Sequence, residues 1–174
     1  MGQREVIQRD GIQVFIPPAR LAPPATKPSG MKVLIAEDDR DVRTLLHLVL
    51  RLDGNQVSEA GTAGEALSRA TDSPPDLVVL DLTFPGSDGF STLQKLRASE
   101  ATSDIPIVVI SGRAEAEDQI LCLEAGADVY LVKPFDPFVF METVREIAAL
   151  TRDQRDEQRV RAIDRLRQLA RPAG

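Results

Sequence analysis

Asp76-Leu77-Val78-Val79-Leu80-Asp81 sets four aliphatic side chains in an unbroken row and closes the row with a carboxylate. A run this short, with no polar alternation, suits a strand buried on both faces of a parallel sheet. Outward from it, comparable runs recur at residues 32–36, 56–60, 105–110 and 129–132. Helical patterns fill the intervals. Val42, Leu45, Leu46, Val49 and Leu52 make one apolar stripe, closed by Gly54 as a C-terminal cap. Thr62-Ala63-Gly64-Glu65 reads as a capping box opening a second helix. Asp88 caps a third, with Phe90, Leu93 and Leu96 inward. Residues 115–125 form a fourth, with Ile120 and Leu123 inward and Gly126 ending it. Asp136-Pro137 starts a fifth, proline at its first position, with Phe140, Val144, Ile147 and Ala148 toward the sheet. Five strands alternating with five helices define an α/β fold: a doubly wound five-stranded parallel sheet with helices on both faces. In such sheets the functional crevice lies beyond the C-terminal ends of the strands.

Composition narrows the chemistry. At 43% hydrophobic and 28% charged residues, the 174-residue chain resembles a globular domain, which excludes disorder throughout. Its apolar runs are far shorter than the ~18 residues a membrane span needs, and the 14–16 run, stopped by Pro17-Pro18, is no signal peptide. One cysteine, Cys122, excludes an internal disulfide and fits a reducing cytoplasm. One histidine, His47, excludes a multi-histidine metal centre.

The net charge of −6 conceals three unlike segments. Residues 1–30 carry +2, residues 31–150 carry −11, and residues 151–174 carry +3. The acidic middle is unsuited to nucleic-acid backbone contact, which needs clustered Lys and Arg. The chain therefore divides into an N-terminal extension over 1–30, a domain over 31–150 and a C-terminal extension over 151–174. Five prolines mark 17–30 as a linker, and Asp10-Gly11 between two apolar runs signals a short hairpin. In the C-terminal extension Val160, Ile163, Leu166 and Leu169 fall at three-residue steps, an amphipathic helix continuing the fifth helix. That face suits either packing back on the domain or contact with a partner or a second copy.

The residues that end the strands carry the chemistry. Glu37-Asp38-Asp39 follow the first run, Asp81 the third, Ser111 the fourth and Lys133-Pro134 the fifth. Carboxylates crowded on one rim repel one another unless a cation neutralises them. Mg²⁺ takes one or two carboxylates together with water and phosphate oxygens. Asp81 then offers a nucleophile, as aspartate does in aspartyl phosphates. Ser111 and Lys133 offer a hydroxyl and an ammonium to the oxygens of a transferred phosphoryl group. Simpler roles suffice for the rest: Asp39 as a first-turn acid near a helix dipole, Cys122 as packing, His47 as a surface residue.

These segments resemble the receiver domain of bacterial two-component response regulators. The resemblance rests on Val33-Leu34-Ile35-Ala36-Glu37-Asp38-Asp39, on residues 76–89 around Asp81 and Asp88-Gly89, on Ile110-Ser111-Gly112, and on Lys133-Pro134-Phe135. It covers residues 31 to about 150 in order and spacing. It implies a flavodoxin-like sheet of order 2-1-3-4-5 and a phosphoryl group accepted by Asp81 from a sensor histidine kinase or phosphotransfer protein. It further implies Mg²⁺ held by Asp38, Asp81 and the Thr83 backbone carbonyl, with Glu37 acting through water. Ser111 matches the family's switch hydroxyl and Tyr130 its aromatic switch, whose ring turns inward in the active form; Lys133 matches the phosphoryl contact, and the Lys133–Pro134 bond is expected to be cis. Thr83 and Arg113 occupy variable positions that set phosphoryl lifetime, and Ser87 stands where methionine is frequent.

The expectation is a signalling protein that catalyses only its own phosphorylation and dephosphorylation and acts on a downstream protein, with no DNA-binding segment in the chain. Three alternatives stay open: a docking module that never takes phosphate, a fragment of a longer regulator, and an aspartyl-phosphate phosphohydrolase. The last usually carries a second Asp two residues after its nucleophile, where this chain has Thr83.

Overall fold

The structure, a computed structural model, describes residues 30–84 and 87–170. The hairpin signal around Asp10-Gly11 and the 17–30 linker, apart from Gly30, lie outside these residues. Five parallel strands form the sheet: β1 (Lys32–Ala36), β2 (Gln56–Ala60), β3 (Leu77–Asp81), β4 (Ile107–Ser111) and β5 (Val129–Val132). Their order is 2-1-3-4-5. Helices α1 (Arg40–Leu52), α2 (Ala63–Asp72), α3 (Gly89–Ala98), α4 (Ala116–Glu124) and α5 (Pro137–Ala149) make the crossovers, and α6 (Arg152–Leu169) follows. A two-residue antiparallel ladder, Thr83–Phe84 with Ser87–Asp88, joins β3 to α3.

The strands work by alternation. Val33 and Ile35, Leu77 and Val79, Val108 and Ile110, and Val129 and Leu131 point to one face, where α1 and α5 bring Leu46, Leu50, Phe140, Val144 and Ile147. Leu34, Val78, Leu80, Val109, Tyr130 and Val132 point to the other, against α2, α3, α4 and α6. Burying each large aliphatic side chain contributes about 1.5–3 kcal/mol, so the three central strands anchor the domain. Strand order reverses beside β1. There Ala36 pairs with Leu80, so the next residues, Glu37 and Asp81, emerge side by side at the switch point.

The expected α1 stripe is half right. Leu46 and Leu50 are buried and Val42 and Val49 half-buried, but Leu45 is 45% and Leu52 79% exposed. This helix has more leucines than its sheet-facing side can take, so Leu45, Leu48 and Leu52 stand outward at helical spacing. The α2 capping box is displaced by one residue: Thr62 Oγ1 accepts from the Glu65 amide, but the Glu65 carboxylate accepts from the Gly61 amide.

The C-terminal segment differs more. α5 does not run on; Leu150 is extended, and Thr151 opens α6 afresh with a complete capping box to Gln154. The face that α6 buries is Arg155, Ala162, Ile163 and Leu166, whereas Val160 and Leu169 are exposed. Three-residue steps lag the 3.6-residue turn, so Val160 and Leu169 end on opposite sides of the helix.

Candidate functional site

Five strand-end residues meet above the sheet. Glu37 and Ser111 are wholly buried and Asp81 is 2% exposed, while Asp38 is half-buried. Carboxylate oxygens of Glu37, Asp38 and Asp81 lie within 4.8 Å of one another. Lys133 reaches in from β5 and donates to Glu37 Oε2 at 2.7 Å and Asp81 Oδ2 at 2.8 Å. Its backbone amide bonds the Ser111 carbonyl at 2.7 Å, and the Lys133–Pro134 peptide is cis. The second Asp81 oxygen accepts from the Thr83 amide at 3.0 Å. Asp81 thus has an oriented carboxylate.

With all three carboxylates ionised, one ammonium leaves two negative charges uncompensated in a mostly buried site. Burial pushes the Glu37 carboxyl up to about 7; the hydrogen bond from Lys133 opposes the rise and the Asp81 charge adds to it. Burial alone would lower the Lys133 ammonium, but its bonds to Asp81 and Glu37 outweigh that and hold it above its usual value. An all-oxygen donor set with an excess of two negative charges fits a hard divalent cation.

The switch candidates sit next to this cluster. Ser111 Oγ accepts from the Arg113 amide at 3.2 Å. Tyr130 is 1% exposed, turned inward, and donates its hydroxyl to the Arg113 carbonyl at 2.9 Å. Burial pushes the Tyr130 phenol up to about 12, despite a bond to Ser111 that favours ionisation. Arg113 is therefore gripped from both sides by the two residues named for switching.

Asp39, by contrast, caps α1 by accepting from Asp41 and Val42, and these backbone bonds lower its carboxyl below the usual range. His47 is half-buried, its Nδ1 2.5 Å from Glu59 Oε1 on β2. Cys122 is buried among apolar neighbours, and burial raises its thiol to about 11.

Two residues shape the site in ways not read from the sequence, Arg43 not singled out there and Gly89 quoted only as part of the resemblance. Arg43 donates to the carbonyls of Glu37 at 2.6 Å and Asp38 at 3.1 Å, while Glu59 holds its Nε at 3.1 Å. It clamps the backbone that carries the acidic pair. Its place one turn after the Asp39 cap was the only signal. Gly89 starts α3 so close to the nucleophile's strand that a Cβ would lie 2.4 Å from Leu82 Cα and 2.6 Å from the Asp81 carbonyl oxygen. Glycine directly after a capping aspartate, where better helix formers are available, was its clue.

The comparisons agree with this geometry. The family model of the response regulator receiver domain matches residues 33–145. A curated relative, the transcriptional regulatory protein PrrA of Mycobacterium leprae, is 45% identical over 124 residues, covering 71% of this chain and 51% of that protein. The chain thus spans about half the length of the curated relatives it matches. Among solved structures, a putative response regulator from Chloroflexus aurantiacus superposes with TM-score 0.67 at 34% identity, over 70% of this chain and all of that one. The receiver domain of a sensor histidine kinase from Pseudomonas aeruginosa, solved with magnesium coordinated in its active-site cleft, gives TM-score 0.65 at 27% identity, over 70% of this chain and all of that one. With the strand order, the converging acids and the lysine after β5, these matches place the chain in the response regulator receiver family.

Proposed function

We propose that this receiver accepts a phosphoryl group on Asp81 from a phosphohistidine of a sensor kinase or phosphotransfer protein, and signals in the bacterial cytoplasm by changing its protein contacts. The observation that carries the reading is Asp81 itself: a buried carboxylate with Lys133 on one oxygen and the Thr83 amide on the other, within 4.8 Å of Glu37 and Asp38.

In the proposed reaction an Asp81 carboxylate oxygen attacks phosphorus, an O–P bond forms and the donor's N–P bond breaks. The imidazole leaves with the bond's electron pair and takes up a proton. Asp38, Asp81 and the Thr83 carbonyl would hold Mg²⁺, with Glu37 orienting water. When bound, Mg²⁺ supplies charge neutralisation at the phosphoryl oxygens. Lys133 then contacts a phosphoryl oxygen in place of its partner on Asp81. Ser111 rotates its hydroxyl from the Arg113 amide to the phosphoryl group, whose added charge and strong acceptors favour that exchange. The loop after Ser111, already bonded to the inward Tyr130 hydroxyl through the Arg113 carbonyl, repacks and carries the signal to the α4 side.

The receiver reading covers residues 31–150, with 1–30 and 151–174 as extensions. Among the described residues no helix is long and apolar enough to cross a membrane. The test is transfer from a phosphoramidate donor, followed by hydroxylamine. A label that needs Mg²⁺, is lost to hydroxylamine and maps to Asp81 supports the reading. A stable label, or one on another residue, overturns it.

A further inference from the structure

α6 lies wholly beyond the residues matched by the family model, yet it is built into the domain. Ala162, Ile163 and Leu166 are at most 9% exposed and enter the apolar cluster that holds Cys122 and Leu123 of α4 and Tyr130 of β5. The first half of α6 docks through arginines instead. Arg155 donates to the Asp104 carbonyl at 2.7 Å and places its Nε 3.3 Å from Asp128, which Arg159 also meets at 3.4 Å. Arg97 of α3 takes the other Asp128 oxygen at 2.9 Å. Arg152 pairs with Asp104, and Arg167 meets Glu124 at 2.5 Å.

Two features make this seam separable. Only three α6 aliphatic side chains are buried in it, and three guanidinium groups share one carboxylate. Burial lowers the Arg97 guanidinium, and after the opposing pull of Asp128 the like charges of Arg159 and Arg155 add to that lowering. A polar cleft of about 270 Å³, lined by Arg97, Glu124, Asp128, Arg152, Asp156 and their neighbours, runs along the same seam. The outer pairs, Arg152 with Asp104 and Arg167 with Glu124, are exposed and so weakened by water and salt, while the pairs to Asp128 are mostly buried.

The platform beneath α6 is in turn tied to the switch residues. α4 begins without a side-chain cap at Glu115. The loop before it is held through Arg113, whose amide donates to Ser111 and whose carbonyl accepts from Tyr130. Withdrawing the Ser111 hydroxyl removes one of these two holds, so α4 can shift and α6 loses its seat.

We propose that α6 is a phosphorylation-controlled cover, docked on α4 when Asp81 is free and released when it is phosphorylated. Release exposes an apolar strip rimmed by Asp104, Glu124 and Asp128, which fits a basic amphipathic helix of α6's own kind on a partner protein. The proposal rests on the phosphoacceptor reading.

Limited trypsin digestion of the full chain tests it. Released α6, eighteen residues with six arginines, is marginal as an isolated helix and opens to protease. Three samples are compared: protein alone, protein with acetyl phosphate and Mg²⁺, and Asp81→Asn treated identically, each with its intact mass recorded. Cleavage after Arg155 and Arg159 should accelerate at least about tenfold only in the phosphorylated wild type, a shift of about 1.4 kcal/mol in docking. Ile163→Asp should be cleaved rapidly in either state. If mass shows one added phosphoryl group and cleavage is unchanged, the cover is refuted while the phosphoacceptor reading stands. If no phosphoryl group is added, both fall. Equal resistance of Ile163→Asp and wild type also refutes it.

Discussion

Asp38→Asn should stabilise the metal-free protein while abolishing its response to Mg²⁺. Asp38 lies within 4.8 Å of both Glu37 and Asp81, and among the described residues it has no ion pair of its own to Lys133. Two unit charges at that distance repel by about 3.5 kcal/mol at an effective dielectric constant of 20. Asp38 repels two such neighbours, but Glu37, raised to about 7, carries only part of its charge at neutral pH, and Asp38 is half-buried rather than sealed and attracted to Lys133 at longer range. After those discounts, relief of about 1–3 kcal/mol is expected from a nearly isosteric change. Urea unfolding in EDTA and in excess Mg²⁺ measures it. Wild type should gain stability with Mg²⁺ by mass action, because the folded site binds the ion and the unfolded chain does not. The variant should begin higher in EDTA and gain almost nothing. If Asp38→Asn is less stable than wild type in EDTA, or keeps the full Mg²⁺ increment, the electrostatic account of the rim is wrong.

Arg43→Ala should weaken Mg²⁺ binding several-fold by freeing the Glu37 and Asp38 carbonyls, and raising Mg²⁺ should restore the phosphorylation rate; a defect that persists at saturating Mg²⁺ would exclude a positioning role. The Tyr130 phenol is raised to about 12, so the unfolded chain loses its proton first as pH rises from about 10. Its contribution is therefore complete below pH 10 and lost between 10 and about 12, a fall of up to about 3 kcal/mol that Tyr130→Phe should remove from the alkaline urea-unfolding profile.

Much of this was legible in the sequence because parallel strands are written as short aliphatic runs. Val78-Val79-Leu80 and Val108-Val109-Ile110 need no periodicity to be read, and the residue after each run falls on the rim where the site forms. That rule picked out Asp81, Ser111 and Lys133 as candidates, their roles came from the family resemblance, and the structure brings the three together. α1 misled because leucines outnumbered the places on its inner face, so pattern could not separate Leu46 from Leu45. α6 misled in the opposite sense. Its docking side includes Arg155 and Arg159, and arginine is read as outward until its carbonyl and carboxylate partners are known. Asp104, Asp128 and Gly126, which supply those partners, are separated from α6 by more than twenty residues of chain. Arg43 was obscure for the same reason: two of its partners are backbone oxygens, which leave no mark in a sequence, and the third, Glu59, lies 16 residues away.

The most direct measurement is intact-protein mass after incubation with acetyl phosphate, for wild type and Asp81→Asn, each with Mg²⁺ and with EDTA. A gain of one phosphoryl group in wild type with Mg²⁺, absent from the other three samples, is the result expected of a receiver whose acceptor is Asp81. An equal gain in Asp81→Asn, or no gain in a folded wild type that binds Mg²⁺, would contradict it.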